Sequence, residues 1–288
     1  AMYAKYIKPK WNTMGPDDDP WKDASKIPLA DLWELRRTLR AKLVHFTRTR
    51  LARQAERRGE GAGAVAEAWR ALDEDALTLG FARRFATYKR APLIFKEAKR
   101  LSALLNDEKR PVQLIFAGKA HPRDEDGQEL AKIIYREAHK AGFHGRVALI
   151  EEYDMQVGRM LTSGCDVWLN NPIRPNEASG TSGMKPPLHG GLNASILDGW
   201  WPEGYNGKNG WVIGDETEFK SRAKQDTYDA KALVEVLEND IVPLFYKRGK
   251  DGLPKGWLEL ARRSLVTVPG QFNSHRMVGD YVKNAYLG

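Results

Sequence analysis

Residues 169–214 read LNNPIRPNEASGTSGMKPPLHGGLNASILDGWWPEGYNGKNGWVIG. This stretch begins at the end of an apolar run at 166–169 and contains a second apolar run at 192–197. Short apolar runs bounded by turn residues are typical of buried β-strands. The stretch therefore predicts a strand, a Gly/Ser-rich loop, a short helical turn at 188–191 and a further strand.

The loop between the two predicted strands holds Glu177, Ser179, Gly180 and Thr181, and it ends at Lys185. Glycines let backbone N–H groups approach a ligand closely, and a carboxylate accepts hydrogen bonds from hydroxyls. A lysine just past such a loop can face an anion or form a Schiff base with an aldehyde. The alternative is a mobile surface loop with a solvated lysine, because short Gly/Ser runs are common.

Short apolar strands and helices alternate along most of the chain. This alternation predicts an α/β fold with a parallel sheet that helices cover on both faces. Strands are predicted at 76–82, 112–118, 147–150, 166–169, 192–197 and 211–213. Helices are predicted at 93–105, 125–141, 154–162, 230–246 and 273–286.

A lead-in precedes the first strand. Residues 1–28 show no hydrophobic period and are predicted to be irregular, whereas apolar residues at three- and four-residue steps predict a helix at 29–58. A shorter helix is predicted at 65–72, so we divide the chain into a lead-in at 1–74 and a larger domain at 75–288. The long helix also carries basic residues that we expect on a solvated face: Arg36, Arg37, Arg40, Arg48 and Arg50.

Basic residues follow the first predicted strand at the point where it ends. They are Arg83, Arg84, Lys89 and Arg90. Because ligands of parallel α/β sheets bind at the carboxyl ends of strands, we expect this segment and the loop that ends at Lys185 to share one anion site. The alternative is a basic helix face without a ligand.

Composition restricts the class of protein. The chain has 288 residues, 42% of them hydrophobic, and a formal net charge of +8, which indicates a folded globule that meets anionic ligands. The basic residues are spread over amphipathic helices without an aromatic and basic RNA motif, so we expect phosphate-bearing ligands and no nucleic acid. A single cysteine, Cys165, and the lack of an apolar run of about eighteen residues favour the cytoplasm and no membrane span.

Two segments carry a resemblance to a known family. EASGTSGMK at 177–185 and LNASILDGWWPEGYNGKNGW at 192–211 resemble the cofactor-lysine segment of the α-glucan (glycogen, starch and maltodextrin) phosphorylases. The runs DGWW at 198–201 and EGYNGKNGW at 203–211 are most similar to the bacterial branch of that family. The resemblance implies that Lys185 carries pyridoxal phosphate covalently. It also implies a Rossmann-like domain, the C-terminal half of a GT-B arrangement.

The resemblance extends to two further segments. FARRFATYKRA at 81–91 is similar to the family segment whose basic residues contact phosphates, which implies that Arg83 faces the cofactor phosphate. By the same match, Arg84 and Lys89 hold inorganic phosphate as catalytic residues. EEYDM at 151–155 resembles the segment whose tyrosine, here Tyr153, lies near the cofactor.

The loop before Lys185 matches the family's sugar-binding positions. The match implies that Glu177, Ser179 and Gly180 bind hydroxyls of the sugar, and that Gly180 and Thr181 also adjoin the cofactor. No metal ion is implied.

The family reaction is the reversible phosphorolysis of α-1,4-glucan to glucose 1-phosphate. The resemblance therefore implies inorganic phosphate, glucose 1-phosphate and α-1,4-glucan as ligands. The family's active site lies between two domains, and no segment of this chain matches the N-terminal one. We therefore expect that domain of the same protein to be the missing partner, and we expect the isolated chain to be inactive and able to lack its cofactor.

Pro186 and Pro187 depart from the family pattern. A proline disfavours helical geometry at the residue before it and donates no N–H group. We therefore expect a shifted helix start after Lys185 and fewer N–H donors for a phosphate.

Two other interpretations stay open. The first is a GT-B glycosyltransferase that uses a nucleotide sugar, since such enzymes share the sheet layout but need no lysine anchor. The second is a non-catalytic module that binds phosphate or pyridoxal phosphate without a reaction.

Overall fold

Six strands form one parallel sheet in the computed structural model, which describes residues 2–8, 10–13 and 19–287. The strands are β1 (Leu77–Ala82), β2 (Val112–Ala117), β3 (Val147–Ile150), β4 (Val167–Asn170), β5 (Leu192–Ser195) and β6 (Gly210–Val212). Their order across the sheet is β3-β2-β1-β4-β5-β6, and every neighbouring pair is parallel. The predicted parallel sheet is confirmed, with each strand close to its predicted bounds.

Helices surround the sheet and are joined by short 3₁₀ and π segments. The α-helices are α1 (Met2–Tyr6), α2 (Leu29–Arg57), α3 (Ala62–Arg70), α4 (Ala98–Leu105), α5 (Glu125–Ala138), α6 (Met155–Gly164), α7 (Trp201–Gly204), α8 (Arg222–Val236), α9 (Val242–Tyr246), α10 (Lys255–Gln271) and α11 (Ser274–Tyr281). Within the described part of the chain, no helix has both the length and the apolar character that crossing a membrane requires.

Helices cover both faces of the sheet. Successive side chains of a strand point to opposite faces, so each strand contributes to the packing on both sides. In β2, Leu114 and Phe116 belong to one hydrophobic core, which α4, α5, α8 and α10 complete. Ile115 and Ala117 belong to a second core, which α2 and α6 complete. β1, β2, β4 and β5 are consequently buried along their whole length, as their apolar sequences require.

The C-terminal helices differ from their predicted bounds. The helix predicted at 230–246 begins earlier, as α8, and continues through a π segment (Leu237–Ile241) into α9. Helix α10 was not predicted from the sequence, and it contains Pro269, a residue that disfavours a helix interior. Tertiary packing favours the helix nonetheless, because Trp257 and Leu258 are fully buried in the main core.

The prediction of an irregular segment at 1–28 is wrong in its described part. That part forms α1 and two 3₁₀ helices, Trp11–Thr13 and Pro20–Lys26, while residues 1, 9 and 14–18 lie outside the described residues. The Asp19 carboxylate accepts a hydrogen bond from Trp21 N at 3.3 Å and so begins the second of these helices. The boundary placed between residues 74 and 75 stays a prediction.

The expectation of a solvated arginine face on α2 is wrong for the buried Arg36 and Arg40, while Arg37 is half exposed. It is also wrong for Arg48 and Arg50, whose side chains are only 22% and 18% exposed. Arg36 and Arg40 are fully buried, and both contact Oδ1 of the buried Asp166, Arg36 through Nη2 at 3.2 Å and Arg40 through Nη1 at 3.0 Å. The other Asp166 oxygen, Oδ2, accepts a hydrogen bond from Thr78 N in β1 at 3.0 Å. Burial of these charges is tolerated because each has partners of opposite charge or polar groups around it.

Arg36 also caps the C-terminal end of α6. Its guanidinium donates to the backbone oxygens of Ser163 at 2.7 Å, Gly164 at 2.9 Å and Cys165 at 2.7 Å. The last carbonyls of a helix have no partner within the helix, so a cation placed there satisfies them and offsets their partial negative charge.

We expect Asp166→Ala to lower the free energy of unfolding by about 3–5 kcal/mol, because it leaves two buried guanidinium groups without their carboxylate. Asp75→Ala is the matched control, since it removes the partner of Arg37 on the same helix from an exposed ion pair. The control should change the free energy by about 0.5 kcal/mol or less. Urea unfolding measures both variants, and equal losses would contradict the structural role of Asp166.

Candidate functional site

The candidate site lies where the chain reverses its direction of travel across the sheet. β1 leads to β2 and β3 on one side, whereas β4, the other neighbour of β1, leads to β5 and β6 on the opposite side. The connections that leave β1 and β4 therefore diverge, and a crevice forms outside the carboxyl ends of these strands. The segments 83–92 and 171–185 follow β1 and β4, so the topology brings the two predicted anion-binding segments together.

Arg83 and Glu177 form a buried ion pair at this edge. Arg83 Nη2 donates to Glu177 Oε2, and Arg83 Nη1 donates to Oδ1 of Asn170, the last residue of β4. Asn170 is held in turn because its Nδ2 donates to Ser195 Oγ, at the end of β5, at 2.9 Å. Only 2% of the Arg83 side chain and 7% of the Glu177 side chain are exposed, so water screens this attraction weakly.

Lys89 contacts the same carboxylate. Its Nζ lies 3.3 Å from Oε2 and 3.4 Å from Oε1 of Glu177. Arg83 and Lys89 together carry two positive charges and Glu177 one negative charge, which leaves the group with a net charge of +1. Because an ammonium has three N–H donors, Lys89 retains donor capacity for an anion.

The backbone of Glu177 is fixed by Asp198, which follows β5. Asp198 Oδ2 accepts from Glu177 N at 2.9 Å, and Oδ1 accepts from Gly199 N at 3.0 Å. Burial raises the pKa of Asp198, while these two N–H groups act against the rise. The bond from Glu177 N ties the loop after β4 to the loop after β5, and the bond from Gly199 N fixes the Asp198 carboxylate within its own loop.

Gly180 lies close to the ion pair and requires its lack of a side chain. Its φ of 71° is in the left-handed region, which residues other than glycine rarely adopt. A Cβ atom on Gly180 would lie 3.0 Å from Glu177 Cγ and 3.4 Å from Arg83 Nη2. Glycine therefore suits this position, because any side chain would be strained by the positive φ and would press on the Glu177 side chain.

Lys185 lies between two 3₁₀ helices, Thr181–Met184 and Pro186–His189. Its side chain is exposed, and its Nζ donates to Thr181 O at 3.3 Å. Pro186 was expected to disfavour helical geometry at Lys185, but Lys185 has φ −85° and ψ −42°, which is helical. Leu188 N donates to Lys185 O at 3.1 Å, and the prolines occupy the first turn, where N–H groups have no helical partner.

Arg84 and Tyr153 are not joined to this ion pair. Arg84 is exposed, and among the described residues its guanidinium has no hydrogen-bond or ion-pair partner. Tyr153 follows β3 at the edge of the sheet, and its hydroxyl packs against Gly158 of α6. Burial raises the pKa of Tyr153, and the neighbouring Asp154 adds to the rise.

Asn170 and Asp198 belong to the site but were not predicted from the sequence. Each lies at or just beyond the carboxyl end of a strand, β4 or β5, and this position was the signal that could have identified them. Arg90 was expected among the anion-binding residues, whereas it is buried and pairs with Asp226 of α8. Within the described ranges, no group of three or more His, Cys, Asp or Glu residues is arranged to hold a metal ion.

Curated relatives match nearly the whole chain. Maltodextrin phosphorylase of Thermococcus litoralis is 42% identical over 282 residues, which are 98% of this chain and 33% of the relative. Glycogen phosphorylase of Mycobacterium tuberculosis is 44% identical over 266 residues, 92% of this chain and 31% of the relative. Glycogen phosphorylase of Aquifex aeolicus is 40% identical over 286 residues, 99% of this chain and 41% of the relative. No protein-family model matches, and the chain spans between 31% and 41% of the length of these relatives.

We expect Gly180→Ala to destabilise the protein more than Gly145→Ala. Both glycines have a positive φ, 71° and 74°, so both substitutions cost roughly 1–2 kcal/mol in backbone strain. Only the methyl group at 180 also meets a neighbour, because nothing lies within 4 Å of the Cβ position at 145. The additional loss should be about 1 kcal/mol in urea unfolding, and equal losses would show that the Glu177 side chain yields without cost.

Proposed function

Since this chain belongs to the α-glucan phosphorylase family, we propose that it is the cofactor- and phosphate-binding C-terminal part of an enzyme for reversible phosphorolysis of α-1,4-glucan. The product of this reaction is glucose 1-phosphate. The names of the relatives support this reaction over one that uses a nucleotide sugar. The observation that carries the proposal is that Arg83 and Lys89, from the segment after β1, meet Glu177, from the loop that leads to Lys185.

Inorganic phosphate binds to Lys89 and Arg84 in this proposal. A phosphate monoester or inorganic phosphate carries about −1.5 to −2 charges at pH 7 and needs more than one cation. Lys89 keeps donor capacity beyond its contacts with Glu177. Arg84 is exposed at the same sheet edge and can turn toward a phosphate without breaking a hydrogen bond to a described residue.

The proposed reaction exchanges one bond at the anomeric carbon of the terminal sugar. A phosphate oxygen forms the new bond, and the glycosidic oxygen leaves with its electron pair and takes a proton from the phosphate. Lys89 and Arg84 stabilise the negative charge that the phosphate gains as it gives up the proton. Glu177, together with Ser179 and the backbone at Gly180, accepts hydrogen bonds from sugar hydroxyls and orients the ring.

Pyridoxal phosphate fits the chemistry of the Lys185 loop. Lys185 offers an exposed primary amine that is bonded, among the described residues, to the carbonyl of Thr181. We assign the other contacts of the cofactor to Arg83, Tyr153, Gly180 and Thr181. When bound, the cofactor supplies a phosphate group that exchanges a proton with the substrate phosphate. In the structure Arg83 is engaged by Asn170 and Glu177, so its contact with the cofactor would share the guanidinium with them.

The remaining part of the site belongs, in this proposal, to an N-terminal domain of the same cytoplasmic protein. The chain covers 31–41% of the relatives, which supports a partner domain of substantial size. Phosphorolysis requires that glucan and phosphate are held together away from water. We therefore propose that the isolated chain is inactive.

We expect pyridoxal phosphate, followed by borohydride reduction, to label the peptide that contains Lys185. The exposed amine in the loop at the carboxyl end of β4 is the reason. The measurement is intact mass and peptide mass with and without the cofactor. Lys185→Arg should abolish the label, whereas Lys208→Arg, which changes another exposed lysine, should retain it. Equal labelling of the Lys185→Arg variant would refute the attachment.

In the full-length enzyme, we expect Lys89→Ala to lower kcat/KM for phosphate by about two decades or more, roughly 3 kcal/mol of transition-state stabilisation. Bound cofactor should change little, because it is attached at Lys185. Lys119→Ala is the control, since Lys119 is exposed and follows β2 at the same sheet edge. Steady-state titration with phosphate measures kcat/KM for both variants. A near-normal kcat/KM in Lys89→Ala would remove Lys89 from the site.

A further inference from the structure

Arg90 is a buried cation directly beside Lys89, and the phosphate site proposed above does not use it. Only 4% of its side chain is exposed. Its φ of 49° lies in the left-handed region, which a residue other than glycine adopts only where surrounding contacts hold it. The contacts of Arg90 therefore identify what holds this part of the loop in place.

The Arg90 guanidinium holds the loop that follows β4. Nε donates to Asn171 O at 3.0 Å, and Nη2 donates to Pro172 O at 2.7 Å. These two carbonyls lie in the same connection as Glu177. The loop after β1 is thus bonded to the loop after β4 through a single side chain.

The same guanidinium reaches α8. Nη1 donates a hydrogen bond to Asp226 Oδ1 at 2.8 Å. Nη2 forms an ion pair with Asp229 Oδ2 at 2.7 Å, although the angles at this contact are not those of a hydrogen bond. Two carboxylates of one helix thereby fix the direction of the side chain. A planar guanidinium with five donors can serve these acceptors together, which the single ammonium of a lysine cannot do.

Hydrogen bonds also run from the β4 loop back to the β1 loop. Asn171 Nδ2 donates to Arg90 O at 2.9 Å, and Ile173 N donates to Tyr88 O at 2.7 Å. Tyr88 and Arg90 flank Lys89 on both sides. The backbone that carries Lys89 is therefore bonded, before and after this residue, to the backbone that leads to Glu177.

We propose that Arg90 is a positioning residue for phosphate: through Asn171, Pro172 and α8 it fixes the separation of Lys89 and Glu177 and so the direction of the Lys89 ammonium. The inference rests on the proposed function, because it assigns Arg90 a role at that phosphate site. Arg90 itself does not touch the phosphate. If the loops separated, Lys89 and Glu177 would move independently, and the ammonium would be held less often where phosphate binds.

Asp226→Asn tests the role with little risk to the fold, because the Asp226 side chain is partly exposed, at 19%, and asparagine has nearly the same shape. Glu238→Gln is the matched control, since Glu238 follows α8 in the same continuous helix and pairs with Arg100, outside the two loops. Arg90→Lys is a second variant that keeps the charge and removes the fork geometry. The probe is inorganic phosphate, added to this 288-residue chain and followed by NMR.

We expect Asp226→Asn and Arg90→Lys to weaken phosphate binding by about fivefold or more. Both should speed amide hydrogen exchange at Ile173, whose N–H joins the two loops, and leave exchange at Leu114 in the sheet unchanged. Glu238→Gln should change neither quantity. Faster exchange at Ile173 with unchanged phosphate affinity would overturn the proposal, because Arg90 would then be a structural residue alone.

Lys89→Ala separates this inference from the proposed function. If it weakens phosphate binding while Asp226→Asn and Arg90→Lys do not, the phosphate site stands and the role of Arg90 is refuted. If Lys89→Ala leaves phosphate binding unchanged, the phosphate site itself is refuted, and the positioning role is refuted with it.

Discussion

Asp166 is buried between Arg36 and Arg40 of α2, and its carboxylate pairs with both guanidinium groups. Asp166 Oδ2 accepts a hydrogen bond from Thr78 N in β1. The backbone of Asp166 bonds to both neighbouring strands: its N–H donates to Thr78 O in β1, and its carbonyl accepts from Leu192 N in β5. A buried charge without its partners costs several kcal/mol, so this arrangement is favourable only when complete. α2 and the centre of the sheet therefore fix each other.

The same interaction reaches the Lys185 loop. Arg36 Nη1 donates to His189 O at 3.0 Å, at the end of the 3₁₀ helix Pro186–His189 that directly follows Lys185. Burial, together with the positive charges of Arg36 and Arg159, lowers the pKa of His189 to about 4, which keeps its ring neutral at pH 7. One buried arginine thus anchors both the core and the far end of the segment that carries the exposed lysine.

The site combines rigid support with limited charge compensation. Arg83 donates to Asn170 at the end of β4, and the backbone N–H of Glu177 donates to Asp198 beyond the end of β5. These bonds hold Arg83 and Glu177 in place, so the two residues do not need to be ordered when a ligand arrives. Two cations, Arg83 and Lys89, share the Glu177 carboxylate, which leaves this group with a net positive charge between the ends of β1 and β4. Sheet topology positions the charges, while loop hydrogen bonds set their distances.

The sequence by itself determined the alternation of strands and helices and the loops at the strand ends, because backbone period and hydrophobic burial are local properties that residue patterns record. The motifs around Lys185 likewise indicated the family, because each is a contiguous run of residues. The burial of individual charges, in contrast, followed from tertiary contacts that residue patterns do not record. Arg36 and Arg37 look equivalent along α2, and Arg83 and Arg84 look equivalent after β1, yet one of each pair is buried and the other exposed. A charge becomes buried only where a distant opposite charge meets it, as Asp166 meets Arg36 and Glu177 meets Arg83, and that meeting depends on the sheet that brings remote segments together.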